Sequence, residues 1–275
     1  MLTLHWHTEP LLLGLICGIG WLYALDAFVY RKRWAPGVPL SIPRSISFYL
    51  GLLTVYLAVG SPIDQIAERY LFSVHMFQHL LLMYVAPIGL ALGFSPARIA
   101  AFAQHHPKTA RFLRAISHPV LQVGLLTVCF TAWHIPRLYE AALADRAIHV
   151  LEHLTLFLPS LLIVFRLLAP NQGLTLLPWP ARMLVVFALM VGQLPVFGFL
   201  AFTSEPLYPT YIYAPRITDL SPIEDQVLGA VIMKVGGMAF ALPLLAICFY
   251  GWYLENNRPS PDQRAAIPQT GLIRA

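Results

Sequence analysis

The sequence predicts an all-α, polytopic membrane helix bundle of seven transmembrane helices, with the N-terminus outside and the C-terminus cytoplasmic. Three observations carry that expectation. Of 275 residues, 58% are hydrophobic and only 11% charged, where a soluble domain typically has about 25% charged residues. The apolar residues fall in runs, and a run of about 20 is what crosses the hydrocarbon core of a bilayer. The basic residues cluster between alternate runs, as orientation signals do. That placement accounts for the net charge of +5 without a nucleic-acid partner.

Seven spans follow in order, at residues 10–30, 45–60, 71–94, 119–135, 147–168, 181–202 and 223–253. They form one transmembrane domain, residues 1–255. The remainder, 256–275, is rich in Pro, Gln and Arg and reads as a disordered cytoplasmic tail. Residues 1–9 contain no Lys or Arg, so the basic start of a cleaved signal peptide is missing and the first span is expected to be retained. The second and fourth spans are short. Pro87, Pro159, Pro195 and Pro243 lie inside spans and predict kinks. Residues 95–117 read as a cytoplasmic loop carrying an amphipathic helix on the membrane surface. Cys17, Cys129 and Cys248 fall in different spans without a C-x-x-C, which argues against a disulfide framework or a thiolate metal site.

Orientation comes from the basic residues. Those after spans one, three, five and seven number thirteen; those on the other side are Arg69, Arg137, Arg146 and Arg216. The positive-inside rule therefore puts the N-terminus outside, and an odd number of spans agrees. On that reading seven of the ten histidines lie at the outer face. So do ten of the thirteen acidic residues, among them Glu9, Asp64, Glu68, Glu224 and Asp225. An acidic rim concentrates cations.

Two segments stand out. Span three opens His75-Met-Phe-Gln78-His79 and span five opens His149-Val-Leu-Glu152-His153, matched position for position. Residues at i, i+3 and i+4 share a helix face. Two histidines one turn apart can ligate a metal ion, so His75, His79, His149 and His153 could hold one or two. Gln78 and Glu152 would serve as ligands or as acceptors that fix the imidazole tautomers. The plainer reading is hydrogen-bonding glue between helices; four histidines at matched spacing and depth favour a metal or cofactor. His149–His153 also fits the H-x-x-E-H of inverted zinc proteases, but Gln78 in the twin lacks the base proteolysis needs.

Other residues carry weaker signals. His134, beside Trp133 at the end of span four, either approaches the same site or anchors the helix at the interface. His5 and His7 form a His-x-His pair that could capture incoming metal or be mobile. Asp225 and Met233 lie along one face of span seven. Met233 offers a thioether suited to Cu(I), although methionine in an apolar helix is more often packing. Lys234 sits well inside the same span, where it snorkels, pairs with a carboxylate or lines a polar cavity.

These motifs, in this order, carry a resemblance. His75-Met-Phe-Gln-His79 with its Ala86-Pro87, Trp133-His134-Ile-Pro136 followed by Leu138-Tyr139, and His149-Val-Leu-Glu-His153 resemble the CtaG family, seven-span assembly factors of caa3-type cytochrome c oxidase. Ser221-Pro222 and Asp225-Gln226 before Gly229 resemble its last helix. Ala230 and Lys234 depart from that pattern, where the family usually has Gly and Trp. A one-span, cysteine-bearing copper chaperone shares the family name, but this chain has neither its architecture nor its thiols.

The resemblance implies a non-enzymatic role in maturing a haem–copper oxidase at a bacterial-type plasma membrane. It implies copper as the ligand, and oxidase subunits and an extracytoplasmic copper carrier as partners. The residues alone leave zinc, iron and haem open beside copper, because imidazole suits them all. They also leave two other functions to weigh. One is a membrane metal-dependent oxidoreductase, against which stand too few carboxylates for a di-iron bundle. The other is an electron-transfer subunit with imidazoles as axial haem ligands.

Overall fold

Proline begins most of the helices. Pro62, Pro96, Pro107, Pro119, Pro136, Pro209 and Pro222 each stand in a helix's first turn. A missing N–H costs nothing there, and the ring presets φ. Serine caps add to three of these starts: Ser61 accepts from the Ile63 N–H, Ser95 from that of Arg98, and Ser221 forms a capping box with Glu224.

The computed structural model describes residue 6 and residues 10–168 and 177–258. His5, His7 and most of the predicted tail, 259–275, lie outside the described residues. The helices in order are α1 (Pro10–Arg33), α2 (Ile42–Gly60), α3 (Pro62–Arg69), α4 (Phe72–Leu92), α5 (Pro96–His105), α6 (Pro107–Ile116), α7 (Pro119–Trp133), α8 (Pro136–Ala144), α9 (Arg146–Leu168), α10 (Trp179–Phe202), α11 (Pro209–Tyr213) and α12 (Pro222–Asn256). No strand occurs among the described residues.

Six of these, α1, α2, α4, α9, α10 and α12, are long and apolar enough to cross a membrane. The fourth expected span qualifies only as the pair α6 and α7, bent by 48°. Length explains the difference. α7 has 15 residues, about 22 Å against a hydrocarbon core of about 30 Å.

The 95–117 segment also differs from expectation. It forms two helices, α5 and α6, rather than one, because Pro107 starts a new one. α5 is tied down: Arg98 forms a salt bridge with Asp26 of α1 and stacks over Tyr23, 5.1 Å from the ring centroid. Of the four expected kinks, only Pro195 falls at an interruption, where helix stops at Gly192 and restarts at Leu194. Pro87 is preceded by a π-helical turn, Leu81–Val85, and the helix runs on through it as one span. Such a widened turn rearranges the hydrogen bonds that a proline cannot complete.

α4 is the common element of both apolar cores. One gathers Phe72, Met76, Phe130, Tyr139, Leu156 and Met233. The smaller one gathers Tyr23, Phe48, Leu52 and Leu90. Outside, leucines and aromatics such as Leu11, Leu15, Trp21, Phe187 and Phe249 stay exposed, as a lipid-facing surface requires. Inside, one end is polar: His75, Gln78, His79, Glu152, Asp225 and Gln226 are all buried.

α2 and α4 touch backbone to backbone at Gly51 and Gly89. A Cβ on Gly89 would stand 2.8 Å from the Gly51 Cα, and one on Gly51 would stand 2.7 Å from the Leu90 nitrogen. The Ser47 hydroxyl donates to the Gly89 carbonyl at 3.1 Å. Small residues let membrane helices approach this closely. Gly89→Ala should therefore destabilise the folded protein by about 1–3 kcal/mol. Gly14→Ala, with nothing within 4 Å of the new Cβ, should be neutral or slightly stabilising through helix propensity. Thermal unfolding in detergent checks this pair; equal melting points for Gly89→Ala and wild type would refute the contact.

Candidate metal centre

The site begins with the first turn of α4, whose leading N–H groups have no partners within the helix. Asp225 of α12 supplies them. The Phe72 N–H donates to Oδ2 at 2.7 Å and the Ser73 N–H to Oδ1 at 3.2 Å, and the Ser73 hydroxyl donates to Oδ1 as well. A carboxylate is favoured at a helix N-terminus, so this contact sets where α4 starts. Asp225 thus stands on α4's first turn rather than among the histidines.

One turn on, His75 and His79 face α9. Their Nε2 atoms lie 3.0 Å apart, and Glu152 reaches between them, 3.5 Å from His79 Nε2 and 4.0 Å from His75 Nε2. His149 and His153 close the cluster, with ring centroids 5.5 Å and 6.0 Å from that of His75. The two matched helix openings therefore meet face to face. Their potential ligand atoms form three overlapping groups: His75–His79–Glu152, His75–His149–His153, and Asp64–Glu68–His149.

Tautomers follow from the outer partners. The Tyr211 hydroxyl donates to the Ala67 carbonyl at 2.7 Å, and a carbonyl can only accept. Tyr139, 2.9 Å away, can then donate to the Tyr211 oxygen. That leaves the Tyr139 oxygen to accept from His75 Nδ1 at 2.9 Å. This proton arrangement satisfies all three contacts and leaves His75 Nε2 a bare lone pair. Both hydroxyls stay protonated, since burial raises them well above the ordinary tyrosine value. His149 Nδ1 lies 2.8 Å from Glu68 Oε1, and His134 Nδ1 donates to the Phe130 carbonyl at 2.6 Å; both carry the proton on Nδ1. Asp64, beside Glu68, has its carboxyl pushed up to about 7 by burial and by that neighbour.

The inner atoms are orphans. His149 Nε2, His153 Nε2, His79 Nδ1 and both Glu152 oxygens are buried without a hydrogen-bond partner. Buried polar atoms without partners are costly, whereas the 3.0 Å contact between His75 Nε2 and His79 Nε2 is satisfied by one shared proton. The donor set fits a metal ion: ligand atoms of His75, His149 and His153, and of His75, His79 and Glu152, lie within 4.8 Å of one another, and those of His149, His153 and Glu152 include buried atoms without partners.

The remaining expected residues are placed elsewhere or at the edge. Gln78 turns to the other flank of α4 and donates to the Ala58 carbonyl at 2.9 Å and to Asp64 at 2.6 Å, so it does not mirror Glu152. His134 borders the cluster; its ring is 6.3 Å from His79, and its Nε2 is 3.5 Å from Met76 Sδ. Trp133 joins its helix to α9 through a 2.8 Å bond to Thr155. Met233 is buried and lines a small cavity with His79, Tyr84, Phe130 and Gln193. Sequence reasoning missed the tyrosines as ring partners, although Tyr139 lay inside a quoted motif. Tyr211 had no signal, and Glu68 was seen only as part of an acidic rim.

A helical membrane bundle with a buried imidazole–carboxylate cluster between two of its spans is the class that fold and site define. The family model described as cytochrome c oxidase caa3 assembly factor (Caa3_CtaG) matches residues 21–255. The chain belongs to that family. No curated protein and no solved structure matches it.

The cap on α4 generates a prediction. Asp225→Ala removes both acceptors and should cost about 1–2 kcal/mol. Asp225→Asn keeps one acceptor but turns an amide donor toward the N–H groups, so its melting point should fall between alanine and wild type. An Asp225→Ala protein that melts like wild type would remove the cap from the account.

Proposed function

We propose that this assembly factor binds copper through His75, His79, His149, His153 and Glu152 and hands it to a cytochrome c oxidase subunit by lateral contact in the membrane. The protein acts as a carrier and not as a catalyst. One observation carries the reading: His149 Nε2, His153 Nε2 and both Glu152 oxygens are buried without hydrogen-bond partners, beside His75 and His79. A cation relieves that cost, whereas apolar packing around bare acceptors would not. Copper rather than zinc or iron follows from the family's client, a haem–copper oxidase, since the donor set accepts all three. Met76 and Met233, close to His134 and His79, add thioethers near the cluster.

The excess of basic residues after spans one, three, five and seven supports an N-terminus outside and a cluster at the extracytoplasmic end. Loading then occurs from an extracytoplasmic carrier. The overlapping ligand groups support a route, with Glu68, its side chain 27% exposed, as the outermost member. From Glu68 and Asp64 the groups pass through His149 to His75, and from there to His79 and Glu152.

Metal analysis tests this. Wild type purified after copper loading should carry bound copper, and the double variant His79→Ala, His153→Ala should lose most of it. Copper retained when all four histidines are alanine sinks the proposal. A Soret band in the purified protein would instead favour the haem reading. Protons compete with metal for imidazole, so affinity should fall on acidification and recover when the pH is raised again.

Tyr139 supplies a finer test. Tyr139→Phe leaves His75 Nδ1 with only the longer contact to Tyr211, 3.2 Å. Losing the partner that orients a ligating histidine weakens metal affinity by about 10- to 100-fold. Affinity titration of Tyr139→Phe should show a loss in that range, with the melting point close to wild type.

A further inference from the structure

A second cavity lies beyond the histidines. It has a volume of about 390 Å³ and opens between α4, α9, α10 and α12, within the size range of small-molecule sites. Most of its polar side chains gather at one end. Tyr84, Gln193 and Lys234 line one end, where Gln193 Nε2 donates to the Tyr84 hydroxyl at 2.8 Å and Lys234 Nζ donates to the Met190 carbonyl at 3.3 Å. Leu168 and Ile247 line the other. Arg182 marks that far end through its 3.1 Å bond to the Leu167 carbonyl. From Lys234 to Ile247 the cavity follows α12 for about 20 Å, more than the roughly 15 Å of one leaflet's hydrocarbon.

Lys234 resolves one of the alternatives left open by the sequence. It pairs with no carboxylate among the described residues; its partner is a backbone carbonyl, and it lines a cavity that is apolar over most of its length. A charge inside a membrane bundle calls for a counter-ion. The Tyr84 hydroxyl accepts from Gln193, so its own proton is available to a ligand. The polar end therefore offers an ammonium and a phenol donor, and the rest is hydrocarbon apart from Ser160, whose hydroxyl donates to the Leu156 carbonyl at 2.8 Å.

We propose that this cavity binds one long-chain carboxylate amphiphile, its head group on Lys234 and Tyr84 and its tail along α12 toward Ile247. The site is separate from the metal cluster but adjoins it. The small cavity beside His79 shares Met83, Tyr84 and Gln193 with the large one, so the head group sits next to the His79 side of the cluster.

Equilibrium binding of radiolabelled palmitate to the full-length protein in detergent tests the site, with palmityl alcohol and a short-tailed quinone as competitors. Palmitate should saturate at one site per chain, and the neutral competitors should displace it poorly. Lys234→Gln should weaken palmitate about tenfold, the scale of one charge-assisted hydrogen bond. Lys234→Arg should keep binding close to wild type. Ala241→Phe, which fills the wall of the cavity, should abolish binding. Non-saturable uptake would mean only surrounding lipid and would overturn the proposal. So would equal affinity for acid and alcohol, preferential binding of the quinone, or a Lys234→Gln protein that is folded, by its melting point, and binds palmitate like wild type.

Discussion

The contact between Asp225 and the first turn of α4 is the constraint on which the rest of the site depends. It joins residues 153 positions apart in the chain and replaces the water that would otherwise satisfy the leading N–H groups of a membrane helix. In a low-dielectric surrounding those groups cannot be left bare. The same carboxylate stops α12 from sliding along α4. With both fixed, His75 and His79 are turned toward α9 and not toward lipid, and a face that periodicity merely describes acquires a direction.

The second requirement is control of the imidazole protons. α3, α8 and α11 are too short to span anything, yet they supply Glu68, Tyr139 and Tyr211, the groups that hold His149 and His75 by Nδ1. Each outer partner frees an inner nitrogen. The bundle thus turns the Nδ1–H groups of His75 and His149 outward to acceptors and leaves their Nε2 atoms facing the cluster, where unpartnered buried polar atoms are costly. Short outer helices are part of the site's machinery as much as the spans are.

Much of this was legible in the chain, and the boundary has a physical cause. Apolar runs and the His-x-x-[Gln/Glu]-His twins depend on local periodicity, so the helical bundle and the four histidines could be read directly. What each side chain faces depends on the neighbour across the interface. Gln78 and Glu152 occupy equivalent positions in their motifs, but the flank carrying Gln78 meets α3, and the flank carrying Glu152 meets His75 and His79. Asp225 could be picked out in the acidic rim and on one face of span seven, but not that it is buried with backbone N–H groups as partners. Tyr211 lies in α11, within a connection between spans that carries no motif, and only the folded chain brings it to His75. The fourth span, short already in the sequence, reaches spanning length only with α6, because its own helix has 15 residues.

These arrangements also limit how an ion could move in the proposed role. Phe72, Tyr139, Tyr208 and Tyr211 stack on one another on one side of His75, all buried, and Met76 with Phe130 and His134 fills another. Neither wall offers a charged ligand. The third group, Asp64, Glu68 and His149, is the one that continues outward, and Glu68 is its partly exposed member. Loading and release would then share one path. In the proposed role a client subunit would meet the edge formed by α3 and the start of α9, where the partly exposed Glu68 stands. Retention is favoured by the cost of leaving buried polar atoms without partners, so release needs a competing ligand set presented at Glu68 and cannot rely on the ion drifting out.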